Sequence, residues 1–201
     1  MKRIFIAFAV LAAACSCSGP SSVKDVAKKV SDPVFRTYCV AKMDLDGDKA
    51  ISMAEADSIR TMDVSGLNIK SLKGIEYFKS LKSLDCSQTQ VKSLVLDNPS
   101  LEILKCEKNE ALVKLDVAKC PSLGFIYASH TGIKELDLSA QQNLYRLWVD
   151  NTPIKTLGIS SCQKLNNLNV ESCKNLKELT LSPSVNRDML YVIKDDGLVV
   201  K

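Results

Sequence analysis

This sequence is poor in histidine and aromatic residues and has no long apolar run, and each shortage excludes something. One histidine in 201 residues cannot build a multi-histidine zinc or non-haem iron centre. The apolar run over residues 4–14 is too short to cross a bilayer as a helix of a mature protein. Eight cysteines are too dilute for a small disulfide-built scaffold, and a net charge of +4 is too mild to point to nucleic acid. No GxSxG, HExxH, glycine-rich phosphate loop or CxxC occurs. Core-building material is present, at 46% hydrophobic and 25% charged residues. The length suits one ordinary domain or a short repeat array.

The first residues read as an address. Met1-Lys2-Arg3 is a basic start, the apolar run follows, and Leu11-Ala12-Ala13-Ala14-Cys15-Ser16 brings small residues up to a cysteine. This resembles a bacterial lipoprotein signal, although Ala12 stands where leucine is usual. The resemblance implies a signal peptide over 1–14 and acylation of Cys15. It also implies a cell-envelope protein that touches the outer membrane only through its lipid, with the periplasmic or surface side left open. The alternative is an ordinary secretory signal. Loss of Lys2 and Arg3 halves the net charge of +4. Residues 15–31 are expected to form a flexible tether, since 16–22 are small and polar.

Asp32-Pro33 is a helix start, an Asp cap with proline at the first helical position. Val34, Phe35 and Tyr38 then recur at helical spacing and lead into Asp44-Leu45-Asp46-Gly47-Asp48-Lys49-Ala50-Ile51-Ser52-Met53-Ala54-Glu55. Carboxylates at loop positions 1, 3, 5 and 12 resemble an EF-hand, because Ca²⁺ takes six to eight hard oxygens. The ligand set so implied is Asp44, Asp46, Asp48, the Ala50 carbonyl, Ser52 and Glu55. Lys49 departs from the pattern: position 6 is normally glycine, because the turn needs positive φ. A lysine there costs on the order of 1 kcal/mol and weakens binding. The alternative is a solvated acidic turn between two helices.

The rest of the chain repeats about every 21 residues. Six copies start at Ile59, Leu81, Leu101, Leu123, Leu144 and Leu165. Their first halves read IRTMDV, LKSLDC, LEILKC, LGFIYA, LYRLWV and LNNLNV. The second halves read VKSLVL, LVKLDV, IKELDL, IKTLGI and LKELTL, with only the first copy blurred at IKSLKG. The chain thereby resembles bacterial leucine-rich-repeat proteins of the LxxLxC type, whose members look like non-catalytic envelope binding proteins. That implies a leucine-rich-repeat solenoid of mostly short parallel strands, α+β in class, with coils over 59–183. Where the family's turn asparagine belongs, the chain has Leu67, Thr89, Asn109, Thr131, Thr152 and Cys173. Threonine hydroxyls would replace the asparagine ladder, with less regular turns expected.

Open ends of a solenoid need caps. Residues 32–58 are expected to form a helical, EF-hand-like cap. Residues 184–201 read as a β-hairpin cap around Asp196-Gly197. A chain capped at both ends is expected to be a monomer. Cys86 and Cys106 share one inward column, where free thiols are the default and a strained disulfide is the alternative. His130 reads as a solvated turn residue. Lys70, Lys92, Lys134, Lys155 and Lys177 form a solvated lysine column on the second segment, with a membrane or glycosaminoglycan patch as the outside alternative.

On the first segments, repeat positions 3, 5 and 7 should point to the concave face, since 4 and 6 point to the core. Phe125, Tyr127 and Trp148 then fall on adjacent coils, with Ile103, Lys105 and Arg146 beside them. Trp, Tyr and Arg are the usual anchors of binding hot spots. This cluster is the expected ligand-binding surface, for an unknown protein or glycan. Two alternatives are a hydrolase using the laterally adjacent Asp63 and Asp85, and a purely structural envelope protein.

Overall fold

The computed structural model describes residues 25–201. The signal peptide, Cys15 and Cys17 lie outside them. The described chain is a leucine-rich-repeat solenoid with a helical cap at its N-terminal end.

The cap begins earlier than Asp32. Residues 25–31, expected to be part of a flexible tether, are pinned to the body. Asp25 accepts a hydrogen bond from Ala27 N and caps a 3-10 turn, Val26–Lys29. Val26 N donates to the Ile51 carbonyl at 2.8 Å. Val26 and Val30 are fully buried, which a polar-looking VKDVAKKV stretch conceals. Gly74, at φ 108, leaves room for Val30: a Cβ there would stand 2.8 Å from Val30 Cα.

Helix α1 spans Pro33–Met43 and buries Phe35, Cys39 and Met43. The Asp32 carboxylate accepts from Val34 N and Phe35 N, and its second oxygen accepts from Lys70 N of the first coil. One side chain thus caps the helix and docks it. Helix α2 spans Met53–Ser58 and starts with a capping box between Ser52 and Glu55.

Each coil then contributes one front strand. These are β1 (Thr61–Asp63), β2 (Ser83–Asp85), β4 (Ile103–Lys105), β6 (Phe125–Tyr127), β8 (Arg146–Trp148), β10 (Asn167–Asn169) and β12 (Tyr191–Ile193). They stack in that order into one seven-stranded parallel sheet. The register aligns Met62, Leu84, Leu104, Ile126, Leu147, Leu168 and Val192. No coil can bury these side chains alone; stacking makes the core continuous and saturates the strand edges.

The second segments pair in twos. They are β3 (Ser93–Val95) with β5 (Lys114–Asp116), β7 (Glu135–Asp137) with β9 (Thr156–Gly158), and β11 (Glu178–Leu179) with β13 (Val199–Val200). In the first coil, whose repeat is blurred, a 3-10 turn at Ile75–Tyr77 follows instead.

The C-terminal hairpin cap is not what forms. β12 pairs parallel with β10, and β13 pairs parallel with β11, so residues 190–200 are a seventh coil. The Asp-Gly turn lies between the front and back strands of that coil, with Gly197 at φ 88. The reason is local: Tyr191-Val192-Ile193 reproduces the out-in-out columns, and the open edge of β10 offers it a ready parallel partner.

The turns are more regular than expected. Gly66, Gln88, Lys108, His130, Asn151 and Ser172 occupy the same repeat position, and all have φ between 55 and 70. Each of the first five donates its N–H to a carbonyl on the next coil, as Lys108 does to Ser129 at 2.9 Å. The threonines do the asparagine's work: Thr89, Thr131 and Thr152 give their hydroxyls to the carbonyls of Cys86, Ala128 and Val149.

Candidate functional site

Two places gather functional side chains: the loop between α1 and α2, and the outward face of the front sheet.

In the loop, Asp44, Asp46 and Asp48 each bring a carboxylate oxygen within 4.8 Å of the others. Backbone N–H groups hold them there. Gly47 N and Lys49 N donate to the two oxygens of Asp44, Asp48 N donates to Asp46, and Ala50 N donates to Asp48. Lys49 adopts φ 67, the conformation that glycine would take without strain. Glu55 is buried and closes the loop. Its Oε1 accepts from Leu45 N at 2.7 Å, and its Oε2 accepts from Ser52 N and Ser52 Oγ, each at 2.8 Å. These donors, with Ser52 N foremost, pull its pKa down to about 2. The loop therefore brings together the three aspartates of the expected ligand set. Ser52 and Glu55 stand at the following helix start, with their oxygens engaged by the capping box. Convergent hard oxygens of this kind suit a calcium-sized cation.

On the front sheet, the alternation of the strands lifts Ile103, Lys105, Phe125, Tyr127, Arg146 and Trp148 out of the core, each half-buried. The register sets Ile103 beside Phe125 and then Arg146, and Lys105 beside Tyr127 and then Trp148. All six expected residues are therefore one contiguous patch. Tyr127 and Trp148 meet edge to face with centroids 5.2 Å apart. The Arg146 guanidinium lies 5.6 Å from the Trp148 ring centroid and donates to the Tyr127 hydroxyl at 3.2 Å. Trp148 Nε1 donates to Asn167 Oδ1 at 2.7 Å. The Tyr127 hydroxyl and Trp148 Nε1 thus both have partners within the protein, and the two rings stay half-exposed on the outward face.

Sequence reasoning missed Tyr145. It is exposed and packs on Phe125 with centroids 6.0 Å apart. It sits at repeat position 2, where the chain bends into the strand, so strict in-out alternation did not place it on this face. An aromatic directly before an outward Arg-Leu-Trp strand was the available signal.

Carboxylates border the patch. Asp63, Asp85, Glu107, Asp150 and Glu171 occupy the outward columns with only Lys105 and Arg146 as cations. Lys105 Nζ stands 3.7 Å from Asp85. Asp150 accepts from Ser129 Oγ, Asn169 and Asn151. Burial, then repulsion from Asp150 and Asp85, raises the Glu107 pKa above the usual range.

Asp63 and Asp85 lie side by side in the register of β1 and β2, as the hydrolase alternative required. Their oxygens are turn acceptors: Asp63 takes the N–H and hydroxyl of Ser65, and Asp85 takes Ser87 N. The hydrogen bonds from Ser65 hold the Asp63 pKa below its usual value, the opposite of what a general acid needs. Clefts open elsewhere, about 320 Å³ beside Cys173 and Gly197 and about 430 Å³ along Lys155–Ser160.

Six cysteines, Cys39, Cys86, Cys106, Cys120, Cys162 and Cys173, are buried and free, so the Cys86–Cys106 disulfide does not form. The lysine column is exposed, and so is His130 in its turn.

No protein-family model matches this sequence, and no curated protein is similar to it. Among solved structures, the functional domain of InlJ from Listeria monocytogenes is similar over 86% of this chain and 61% of its own, at 14% identity and TM-score 0.39. An internalin, InlF, from the same organism is similar over 88% of this chain and 57% of its own, at 17% identity and TM-score 0.48. Internalin C2, also from Listeria monocytogenes, is similar over 89% of this chain and 96% of its own, at 16% identity and TM-score 0.47. The chain thus spans less than two thirds of the first two. These neighbours are bacterial leucine-rich-repeat proteins.

Proposed function

We propose that this protein is a non-catalytic, lipid-anchored component of the cell envelope. It binds a protein or glycan through the outward face of its front sheet and holds one calcium ion in the loop between α1 and α2. The observation that carries binding is the cluster of Phe125, Tyr145, Tyr127, Arg146 and Trp148. Aromatic faces whose polar atoms are already paired gain nothing from water and gain contact area from a partner. Asp63 and Asp85 serve turns, which favours binding over hydrolysis.

Calcium would be held by Asp44, Asp46, Asp48, the Ala50 carbonyl, Ser52 and Glu55. It would relieve the mutual repulsion of three aspartates and fasten the helical cap that covers the first coil. A lipid on Cys15 would hold the solenoid at the outer membrane, on either side of it.

The test compares wild-type protein with Trp148→Ala on a glycan array and in affinity capture from envelope extracts, with and without calcium. Loss of a retained partner with an unchanged circular dichroism spectrum is the expected result. A partner retained equally well by Trp148→Ala sinks the assignment of the patch.

A further inference from the structure

We propose that the front face takes a cationic protein segment, its cation seated among Asp85, Ser87 and Glu107 and its apolar flank laid on Tyr127 and Trp148. This rests on the binding role above and names the partner's chemistry.

Three observations on neighbouring coils point the same way. The first is Ser87. It is 8% exposed, and its Oγ has no hydrogen-bond partner. The two other serines of that column give their hydroxyls to carboxylates, Ser65 to Asp63 and Ser129 to Asp150. A buried hydroxyl left unpaired is costly, so its place on this face marks where an incoming donor belongs.

The second is charge. Ser87 stands between Asp85, two residues before it, and Glu107 on the next coil, whose carbonyl accepts from Gln88 N. Glu107 is repelled by Asp150 and Asp85 more strongly than it is drawn to Lys105 and Lys108. An ammonium or guanidinium offers several N–H donors at once, and it would satisfy the Ser87 hydroxyl while relieving Glu107, beside an Asp85 that already has Lys105 at 3.7 Å. An anionic ligand would add to the repulsion, and a neutral sugar would leave it in place. The lysines Lys92, Lys134, Lys155 and Lys177 belong to the second segments of the coils, so this face has only Lys105 and Arg146 against the five carboxylates of its outward columns.

The third is Arg146. Its Nη1 is committed to the Tyr127 hydroxyl, whereas its buried Nε has no partner. A peptide carbonyl lying across the Tyr127–Trp148 pair would accept from it. Cation site, ring faces and a free donor along adjacent strands fit a chain with alternating basic and apolar residues.

Trp148 is the one tryptophan of the chain, so its emission reports directly on this face. The full-length protein is titrated with tryptophan-free peptides of alternating lysine and leucine, then of alternating glutamate and leucine, and with a neutral chitin oligosaccharide. The lysine peptide is expected to shift Trp148 emission, with an affinity that falls as salt rises. Glu107→Gln and Ser87→Ala should each weaken it about two- to fivefold, whereas Glu135→Gln on β7 should not. Ser87→Ala removes a hydroxyl that bonds to nothing, so its stability should hold while its affinity drops. No response to the lysine peptide, equal binding of the glutamate peptide, or indifference to Glu107→Gln overturns the proposal. Oligosaccharide binding that ignores Glu107→Gln leaves the binding face standing and overturns the cationic partner.

Discussion

Asn109 holds Thr89 across two coils: its Oδ1 accepts from Thr89 N at 2.6 Å, while the Thr89 hydroxyl goes to the Cys86 carbonyl at 3.0 Å. Its Nδ2 donates to the carbonyls of Cys86 and Cys106, so one amide ties three groups of adjacent turns. Thr131 and Thr152 each satisfy only one carbonyl. Removing a partner from a buried network strands the groups it served, at about 1–3 kcal/mol each. Asn109→Ala should therefore lose roughly 3 kcal/mol of stability, and Thr131→Val about 1 kcal/mol. Urea unfolding checks both. Equal losses would mean that the asparagine acts as one more threonine.

The repeats were legible because apolar columns recur with a fixed period, which is a property of sequence alone. The loop was legible too: the aspartate spacing foretold both the convergence of carboxylates and the positive φ of Lys49. What failed were the ends. Val26 and Val30 look solvated until Gly74 is seen to receive Val30. Asp196-Gly197 is an equally good turn for a hairpin or for a coil. Only the edge of β10 decides between them, and it is formed by residues about 24 positions upstream.

The left-handed turn position gives a second expectation. Gln88 and Lys108 adopt φ 57 and 55 with no glycine to ease them. Gln88→Gly or Lys108→Gly should raise stability by about 0.5–1 kcal/mol, since relief of the left-handed strain exceeds the entropy cost of glycine. Gly132 should behave oppositely. A Cβ there would lie 2.5 Å from the Glu110 carbonyl oxygen. Gly132→Ala should cost about 2 kcal/mol, because backbone on both sides must shift. Thermal denaturation of the three variants tests the contrast.

The thiols should be inert while the fold lasts. Burial pushes Cys39, Cys86 and Cys162 up to about 12 and raises Cys106 well above the ordinary thiol range. The thiolate is the reactive form, and these sites disfavour it while excluding reagent. An aromatic disulfide reagent at pH 8 should leave Cys39, Cys86, Cys106, Cys120, Cys162 and Cys173 unmodified in native protein and label all six in denaturant. Mass spectrometry of the labelled peptides reads the result. Fast native labelling of Cys86 or Cys106 would show that the coils open locally.

The loop makes the sharpest test, because its acid response belongs to Glu55 whereas a calcium response also needs the three aspartates. Glu55 is held at a pKa of about 2 against an ordinary 4.5. A carboxylate with a lowered folded-state pKa stabilises the fold fully above its unfolded value and loses that contribution as pH falls through the folded one. The cap should therefore be most secure above pH 4.5 and weaken towards pH 2. Glu55→Gln should remove that part of the pH dependence, because it cannot ionise. At neutral pH calcium should raise the melting temperature and EDTA should reverse the change. Lys49→Gly should stabilise the cap by about 1 kcal/mol with or without calcium, because the loop already holds Lys49 at φ 67. Asp46→Asn should abolish the calcium response yet keep the acid transition, which belongs to Glu55. Melting temperatures unmoved by calcium in both wild type and Lys49→Gly would leave the three aspartates a solvated turn. The Glu55 latch would then act alone in closing the cap.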